Sequence, residues 1–384
     1  MEYDFIVVGA GMAGASVAYE LSDGARVCLI EREARPGQHA TGRSAALFAP
    51  SYGGAAVRAL TRASRDFFIA PPDGFANDRL LTRRGVLYIA RHDQLDQLDA
   101  MVGDIRRSGG AIEPLDVAQV LETVPLLKPS YVAGAAFDHD AQDIDVDALH
   151  QGFLRGARAR GAVLLTDVGD PRVERKGGLW TVNLSTQVIT APVLINTAGA
   201  WGDSVAAALG AQPLDLQPLK RTAVLVDPPA GAHIGDWPAV IDIEEEFYFK
   251  PDAGKLLISP ADETLVDACD AQPEELDIAI GVDRVQAALT LDVERVNHSW
   301  AGLRTFAPDR APVIGFDPLV TGFFWSVGQG GYGIQTAPAW ARTAAALARG
   351  EPVPEDIARE GVTAVALSPG RFSAVVSDKH KVAQ

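Results

Sequence analysis

Near the amino terminus, Gly9-Ala10-Gly11-Met12-Ala13-Gly14 forms a G-x-G-x-x-G turn directly after the β-branched run Asp4-Phe5-Ile6-Val7-Val8. The small-residue stretch up to Leu21 reads as a helix. A second apolar run, Arg26 to Ile30, then ends on Glu31, 22 residues after Gly9. A glycine pattern alone is weak. The full order of strand, glycine turn, helix, strand and acid is specific for a dinucleotide-binding βαβ unit. Gly9 permits the tight turn, Gly11 lets the backbone approach a pyrophosphate, and Gly14 lets helix and strand pack closely. The helix start at Met12 and Ala13 offers N–H groups and a partial positive charge to phosphates. Glu31, with Arg32 beside it, is the candidate for the ribose end, and a carboxylate there repels a 2′-phosphate. The bland alternative is a glycine turn in an ordinary βαβ unit.

A second polar loop follows almost at once, His39-Ala40-Thr41-Gly42-Arg43-Ser44-Ala45-Ala46. Its hydroxyls, guanidinium and small residues suit a segment that crosses a pyrophosphate and leaves room for a flat ring. A plain nicotinamide domain has no need of it. At these residues the sequence resembles the flavin-dependent amine-oxidoreductase family that includes D-amino-acid oxidases, glycine and sarcosine oxidases, and D-arginine dehydrogenase. The resemblance implies FAD as cofactor, and further motifs extend it along nearly the whole chain.

Asp145 reads as the N-cap of an amphipathic helix carrying Leu149, Phe153 and Leu154. Strand-like runs follow at 162–166 and 180–184, and Val193-Leu194-Ile195-Asn196 leads into Thr197-Ala198-Gly199-Ala200-Trp201. Ala198, Gly199 and Trp201, with Val168, are candidate cofactor residues, because members of the family hold such a turn against the flavin. Trp300 to Arg349 contains Gly302, Arg304, Pro308-Asp309 and Pro312-Val313-Ile314-Gly315, similar to the segment that packs beside the flavin in the family. An apolar strand from Gly322 to Val327 then reaches Gly328-Gln329-Gly330-Gly331-Tyr332-Gly333. That pattern repeats G-x-G-x-x-G, but no strand and acid follow the next helix, so a second nucleotide unit is rejected. The resemblance instead aims this helix at the flavin pyrimidine and adds Gly330, Gly331, Tyr332, Gly333 and Ile334 to the cofactor set. Pro338 moves the regular part of the helix towards Thr336.

The expected fold is α/β. A Rossmann-like FAD-binding domain (1–83, 143–213 and 299–384) interleaves with an α+β substrate domain (84–142 and 214–298) built on a largely antiparallel sheet. Alternating runs such as Val86-Leu87-Tyr88-Ile89, Thr222–Val226 and Phe247–Lys250 supply that sheet. The polar tail after Ser368 is expected to fray.

Composition bounds the partners. The net charge of −16 over 384 residues argues against nucleic acid or an anionic membrane. No apolar run approaches the ~18 residues of a membrane span, and the amino terminus has no basic leader, so a cytoplasmic location is expected. Residues 261–283 hold eight acids and no base; they are expected to form a solvated face away from every flavin motif. The Asp138–Asp147 stretch lacks the glycine and glutamate of a calcium loop. The histidines show no metal spacing, and no serine sits in a nucleophile elbow. No metal is expected.

Flavin oxidation of an amino acid moves a hydride from Cα to the flavin. The protein must fix the carboxylate, accept the neutral amine and stabilise the reduced ring. A carboxylate calls for arginine. Arg304 and Arg221 are the candidates, with Tyr248 on what reads as a neighbouring strand. The resemblance adds Tyr52 on a lid, and Gly331 and Gln335 near the flavin. Two positions depart from the D-arginine-dehydrogenase-like members. Arg84-Gly85-Val86-Leu87 has no acid where those enzymes meet a cationic side chain, and Leu47 replaces a histidine. A buried cation without a counter-charge is costly, so the expected substrate is a neutral or apolar D-amino acid, giving a 2-oxo acid and ammonia. A secondary or cyclic amine, a 2-hydroxyacid, or a non-catalytic FAD-binding subunit are the alternatives. Sarcosine oxidases in the family tether flavin through a cysteine in their C-terminal part; no cysteine follows Cys269 here, so the resemblance implies non-covalent FAD. The electron acceptor, oxygen or a quinone, is left open.

Overall fold

In the first strand, Phe5–Val8, the side chains of Phe5, Ile6 and Val7 are buried, as a strand covered on both faces requires. The computed structural model, which describes residues 1–372, pairs this strand in parallel with Val27–Ile30 on one side and Val193–Asn196 on the other. Val163–Leu165 and Phe323–Val327 extend the sheet in parallel, and Val313–Phe316 closes one edge antiparallel. Val8 lies level with both Ile30 and Asn196. The glycine turn and the Thr197–Trp201 turn therefore leave the sheet at the same carboxyl edge, where parallel sheets bind ligands.

Helices Met12–Leu21, Val146–Ala159 and Ala337–Ala348 pack around this sheet through a shared core that includes Ala15, Ala18, Phe153, Ala341 and Ala344. Small side chains let the helices approach closely. Asp145 caps its helix by accepting the Ala148 N–H at 2.8 Å, and the last long helix starts after Thr336, both as the sequence predicts.

The second large sheet has nine strands. Gln217–Val226 pairs along its whole length with Val296–Phe306. On its other side come Lys255–Ser259, Tyr248–Asp252, Ala239–Asp242, Val86–Ala90 and Gly134–Asp138 in that order. Val86–Ala90 and Ala239–Asp242 run parallel; the other pairings are antiparallel. The boundary expected at 299 falls inside Val296–Phe306, which pairs along its length with Gln217–Val226.

Beyond Ser368 the chain does not fray at once. Pro369–Phe372 forms a 3₁₀ turn, and Arg371 donates from Nε to Asp309 at 2.7 Å. The remainder of the tail lies outside the described residues. Among the described residues no helix is long and apolar enough to cross a membrane.

Candidate active site

Between the two large sheets lies a cavity of about 780 Å³. The carboxyl edge of the parallel sheet forms one wall. One face of the nine-stranded sheet forms the other, through Val86 and Tyr88, Arg221 and Ala223, and Gly302 and Arg304. The spacing of two within each pair is the strand period that puts side chains on one face.

The glycine turn is tightly locked. A Cβ on Gly14 would lie 1.8 Å from the Gly9 carbonyl oxygen, so helix and strand meet there at glycine distance. Thr41, from the second polar loop, accepts the Met12 N–H at 2.9 Å. That N–H is thereby committed to the protein, with Gly11 and Ala13 lining the cavity beside it. Glu31 accepts the N–H groups of Ala10 at 2.7 Å and Glu33 at 2.9 Å, and its fixed carboxylate also lines the cavity. His150 supports the same turn, its Nε2 donating to the Ala10 carbonyl at 2.9 Å. Burial holds this imidazole below the ordinary histidine range, against the opposing effects of the Ala10 carbonyl, Asp147 and Glu31.

Most residues singled out in the sequence line this one cavity. They are Gly9, Gly11, Met12, Ala13, Glu31, Arg32, Thr41, Arg43, Ser44, Ala45, Ala46, Val168, Ala198, Gly199, Trp201, Gly302, Gly330, Gly331, Gly333 and Ile334, with Tyr52, Arg221, Tyr248, Arg304 and Gln335. Gly14, Gly42 and Tyr332 do not. Gly14 is consumed by the Gly9 contact, and Gly42 folds back with its N–H on the Gly37 carbonyl. Tyr332 packs edge-on against Tyr52, 5.2 Å between ring centres, and faces a second cavity.

Several expected roles change. Arg43 does not present a free guanidinium to a pyrophosphate: it donates to the carbonyls of Ala271 at 2.8 Å and Ala301 at 3.0 Å and pairs with Asp270. Arg221 donates from Nε to the Asp262 carbonyl at 2.9 Å and from Nη2 to Glu263 at 3.2 Å. Arg310 shares Glu263 at 2.9 Å, and Asp262 also holds the Thr222 N–H at 2.7 Å. Most acids of the stretch 261–283 are exposed, as expected, but the stretch is not remote from the site. Two of them, Glu263 and Asp270, pair with Arg221 and Arg43 on the cavity wall. Tyr248 is not on the strand next to Arg221; Lys255–Ser259 lies between them.

Arg304 differs from Arg221, since it makes no ion pair among the described residues. Its guanidinium lies against Gly331, where a Cβ would sit 2.9 Å from Arg304 Cζ. Burial alone would depress its basicity, but Tyr52, Tyr248 and Glu245 hold it above the ordinary range. Here the backbone at Gly331 leaves space for a cation that makes no ion pair among the described residues.

Two cavity residues carry no motif signal. Glu245 sits in the hairpin between Ala239–Asp242 and Tyr248–Asp252, with a left-handed φ of 55°, and lines the cavity. The pocket therefore does hold an acid, although none stands at Val86. Tyr88 lies two residues along the strand from Val86, and burial pushes its phenol well above the usual range. Tyr52, Tyr88, Ile241 and Glu245 also line the second cavity, of about 580 Å³, which forms a vestibule. At its rim Asp242, Glu244 and Glu246 cluster, but Arg91 reaches Glu246 at 2.8 Å and Gln94 donates to Glu244 at 2.8 Å.

The large cavity suits a dinucleotide with a flat ring. Glycine-lined turns approach it from both ends of the chain, and its volume exceeds what an amino acid alone would fill. The amide nitrogen of Gln335 is buried at its wall without a hydrogen-bond partner among the described residues, while its oxygen accepts the Ala49 N–H at 3.0 Å. An orphaned donor of that kind calls for an acceptor on a bound group.

Comparison with known proteins agrees with this geometry. The family model described as FAD dependent oxidoreductase (DAO) matches residues 4–347. Glycine oxidase from Geobacillus kaustophilus is 23% identical over 354 residues, covering 88% of this chain and 90% of its own. Its crystal structure superposes with a TM-score of 0.80 at 21% identity, over 91% of this chain and 95% of that one. The uncharacterized oxidoreductase YurR of Bacillus subtilis is 26% identical over 372 residues, covering 87% and 91% of the two chains. The structure of L-amino acid deaminase from Proteus vulgaris has a TM-score of 0.79 at 15% identity, over 97% of each chain. At these identities the structural likeness speaks to the fold.

Proposed function

The chain belongs to the FAD dependent oxidoreductase family, and on that premise we propose that it oxidises the Cα–N bond of a neutral D-amino acid. The observation that carries this reading is Arg304, an arginine on the cavity wall with no ion pair among the described residues. A substrate carboxylate supplies the missing charge, and a planar guanidinium binds it with two parallel hydrogen bonds. Tyr248, on the same wall, can donate its hydroxyl to that carboxylate. Arg221, already paired with Glu263, contributes field more than a free fork.

The FAD is proposed to rest on the Gly9–Gly14 turn, Glu31, the Thr41–Ala46 loop, the Ala198–Trp201 turn and Gly330–Gln335, held without a covalent bond. When bound, it supplies the two-electron acceptor for the oxidation. The chain's own residues hold the amino acid with its Cα towards the ring and keep bulk water from the cavity. Loss of a hydride from Cα of the neutral amine leaves the substrate as a protonated imine, which water hydrolyses to the 2-oxo acid and ammonium.

The side chain then points across the sheet towards Ile241 and Val86, an apolar wall. Glu245 stands at the vestibule side of that wall and is engaged by Tyr52 at 3.2 Å, which fits a neutral side chain better than a cationic one. Handedness does not follow from the fold, since a protein named L-amino acid deaminase shares it. Anaerobic mixing of the FAD-loaded protein with D- and L-amino acids, watching flavin absorbance, tests the reading. Bleaching by D-Leu, D-Met or D-Phe is expected. Faster bleaching by D-Arg and D-Lys, or by the L-series, would overturn the substrate assignment, and no bleaching by any amine would point to a non-catalytic subunit.

A further inference from the structure

Behind the side-chain wall, three buried residues from three segments form a hydrogen-bonded chain. Asp138, at the end of strand Gly134–Asp138, is 1% exposed. Its Oδ1 accepts the Asp140 N–H at 2.9 Å, and its Oδ2 accepts the Ser51 hydroxyl in a short contact. The Ser51 oxygen in turn lies 3.4 Å from the Tyr88 hydroxyl. Asp138 makes no ion pair among the described residues. It is therefore a buried acceptor, held by a backbone N–H and a serine.

The proton order along this chain follows from the inventory of donors. Burial raises the Asp138 carboxyl, but the Ser51 hydroxyl and the backbone N–H groups favour its ionised form; an ionised carboxylate only accepts, so Ser51 spends its single proton on Asp138. The Ser51 lone pairs then take the Tyr88 proton. That leaves the Tyr88 oxygen with lone pairs and no proton to offer, on a residue that lines both the large cavity and the vestibule. Register places Tyr88 beside the path proposed for the substrate side chain. Tyr88 is level with Ile241, and Ile241 is level with Tyr248. Two strand spacings, roughly 10 Å, separate Tyr88 from the tyrosine assigned to the substrate carboxylate. An amino-acid side chain laid across the sheet from Arg304 and Tyr248 runs towards Tyr88.

We infer that Tyr88 is a specificity-determining residue, a hydrogen-bond acceptor oriented by Ser51 and Asp138, and that it selects D-amino acids whose neutral side chain carries a hydroxyl or amide donor. Ser51 and Asp138 act through Tyr88 as positioning residues. The inference rests on the amino-acid reading above and narrows its substrate class. Apolar side chains still fit, but they offer no donor to the Tyr88 lone pairs, which a donor-bearing isostere does.

The test compares near-isosteric pairs by anaerobic flavin reduction: D-tyrosine with D-phenylalanine, D-threonine with D-valine, and D-glutamine with D-methionine. In the unaltered protein the donor-bearing member of at least one pair is expected to reduce the flavin with a kcat/KM about fivefold higher or more. Tyr88→Phe, which keeps the ring and its packing, is expected to bring that ratio close to one, mainly by raising the KM of the donor-bearing member. Ser51→Ala is expected to lower the ratio as well, and Ser51→Thr to retain it, a pattern that simple loss of packing does not give. A ratio unchanged in Tyr88→Phe, or no donor preference in any pair, overturns the inference and leaves the amino-acid reading standing. Failure of every D-amino acid to reduce the flavin or perturb its absorbance overturns both.

Discussion

The Tyr52 hydroxyl donates to Glu245 Oε2 across 3.2 Å, joining the loop that follows Leu47–Phe48 to the hairpin that leads into Tyr248. Burial holds the Tyr52 phenol far above its ordinary range, so it stays a donor at any working pH. The contact closes the wall between cavity and vestibule. Tyr52→Phe removes the bond and keeps the ring against Tyr332. A rise in substrate KM of about three- to tenfold is expected, with flavin content unchanged, and steady-state kinetics with a spectrum of the purified variant check both.

The two arginines on the wall should separate cleanly. Arg304→Ala removes the cation that makes no ion pair among the described residues, and kcat/KM is expected to fall about 100-fold or more. Arg221→Ala leaves Glu263 still paired with Arg310 at 2.9 Å, so a loss of about tenfold or less is expected. Equal losses in the two variants would remove the distinction drawn between them.

Gly14 and Gly331 are both closed to a side chain, with different consequences. In Gly14→Ala the new Cβ meets the Gly9 carbonyl, which is backbone and cannot step aside, so the protein should purify colourless or with little FAD. In Gly331→Ala the Cβ meets the guanidinium of Arg304, the far end of a flexible side chain. FAD should stay bound while KM rises. The flavin-to-protein absorbance ratio of each variant discriminates the two cases.

His150 ties stability to pH. Its imidazole is held below the ordinary histidine range by burial, so in acid the unfolded chain takes up a proton that the folded state refuses. The stabilisation is fully present above about pH 6.5 and is lost as pH falls through that value towards the lower folded pKa. The thermal midpoint of the FAD-loaded protein should drop on acidification from about pH 8 to about pH 5, and His150→Gln should show a shallower drop. Parallel curves for the two proteins would count against His150 as the source.

Cys269 lines the large cavity, and its thiol is free and exposed. Non-covalent FAD predicts that acid precipitation leaves the yellow colour in the supernatant. Colour in the pellet that is lost in Cys269→Ser would identify a tether at this residue.

Legibility along the chain followed locality. The unit from Phe5 to Glu31 could be read because its turn, helix and acid are contiguous and each residue answers one backbone constraint. The helix cap at Asp145 and the helix start after Thr336 were legible for the same reason. Arg43 and Arg221 could be picked out as residue types suited to an anion. Their partners, Asp270 and Glu263, lie in a stretch that reads in isolation as an ordinary charged surface. Tyr88 and Glu245 gave no motif at all, since an alternating strand and a tight hairpin look alike whether they face solvent or a cavity.

By itself the sequence determined the dinucleotide unit, the family's recurrent glycine turns and the class of cofactor, because those depend on spacing within short segments. Only the tertiary structure decided which arginine remains free for a substrate and which acids stand near it. Those choices are made by strand register: Gly302 is brought level with Arg221, Leu219 with Arg304, and Tyr88 with Ile241. Pairing between segments this far apart in the chain is a property of the folded sheet, and no local pattern encodes it.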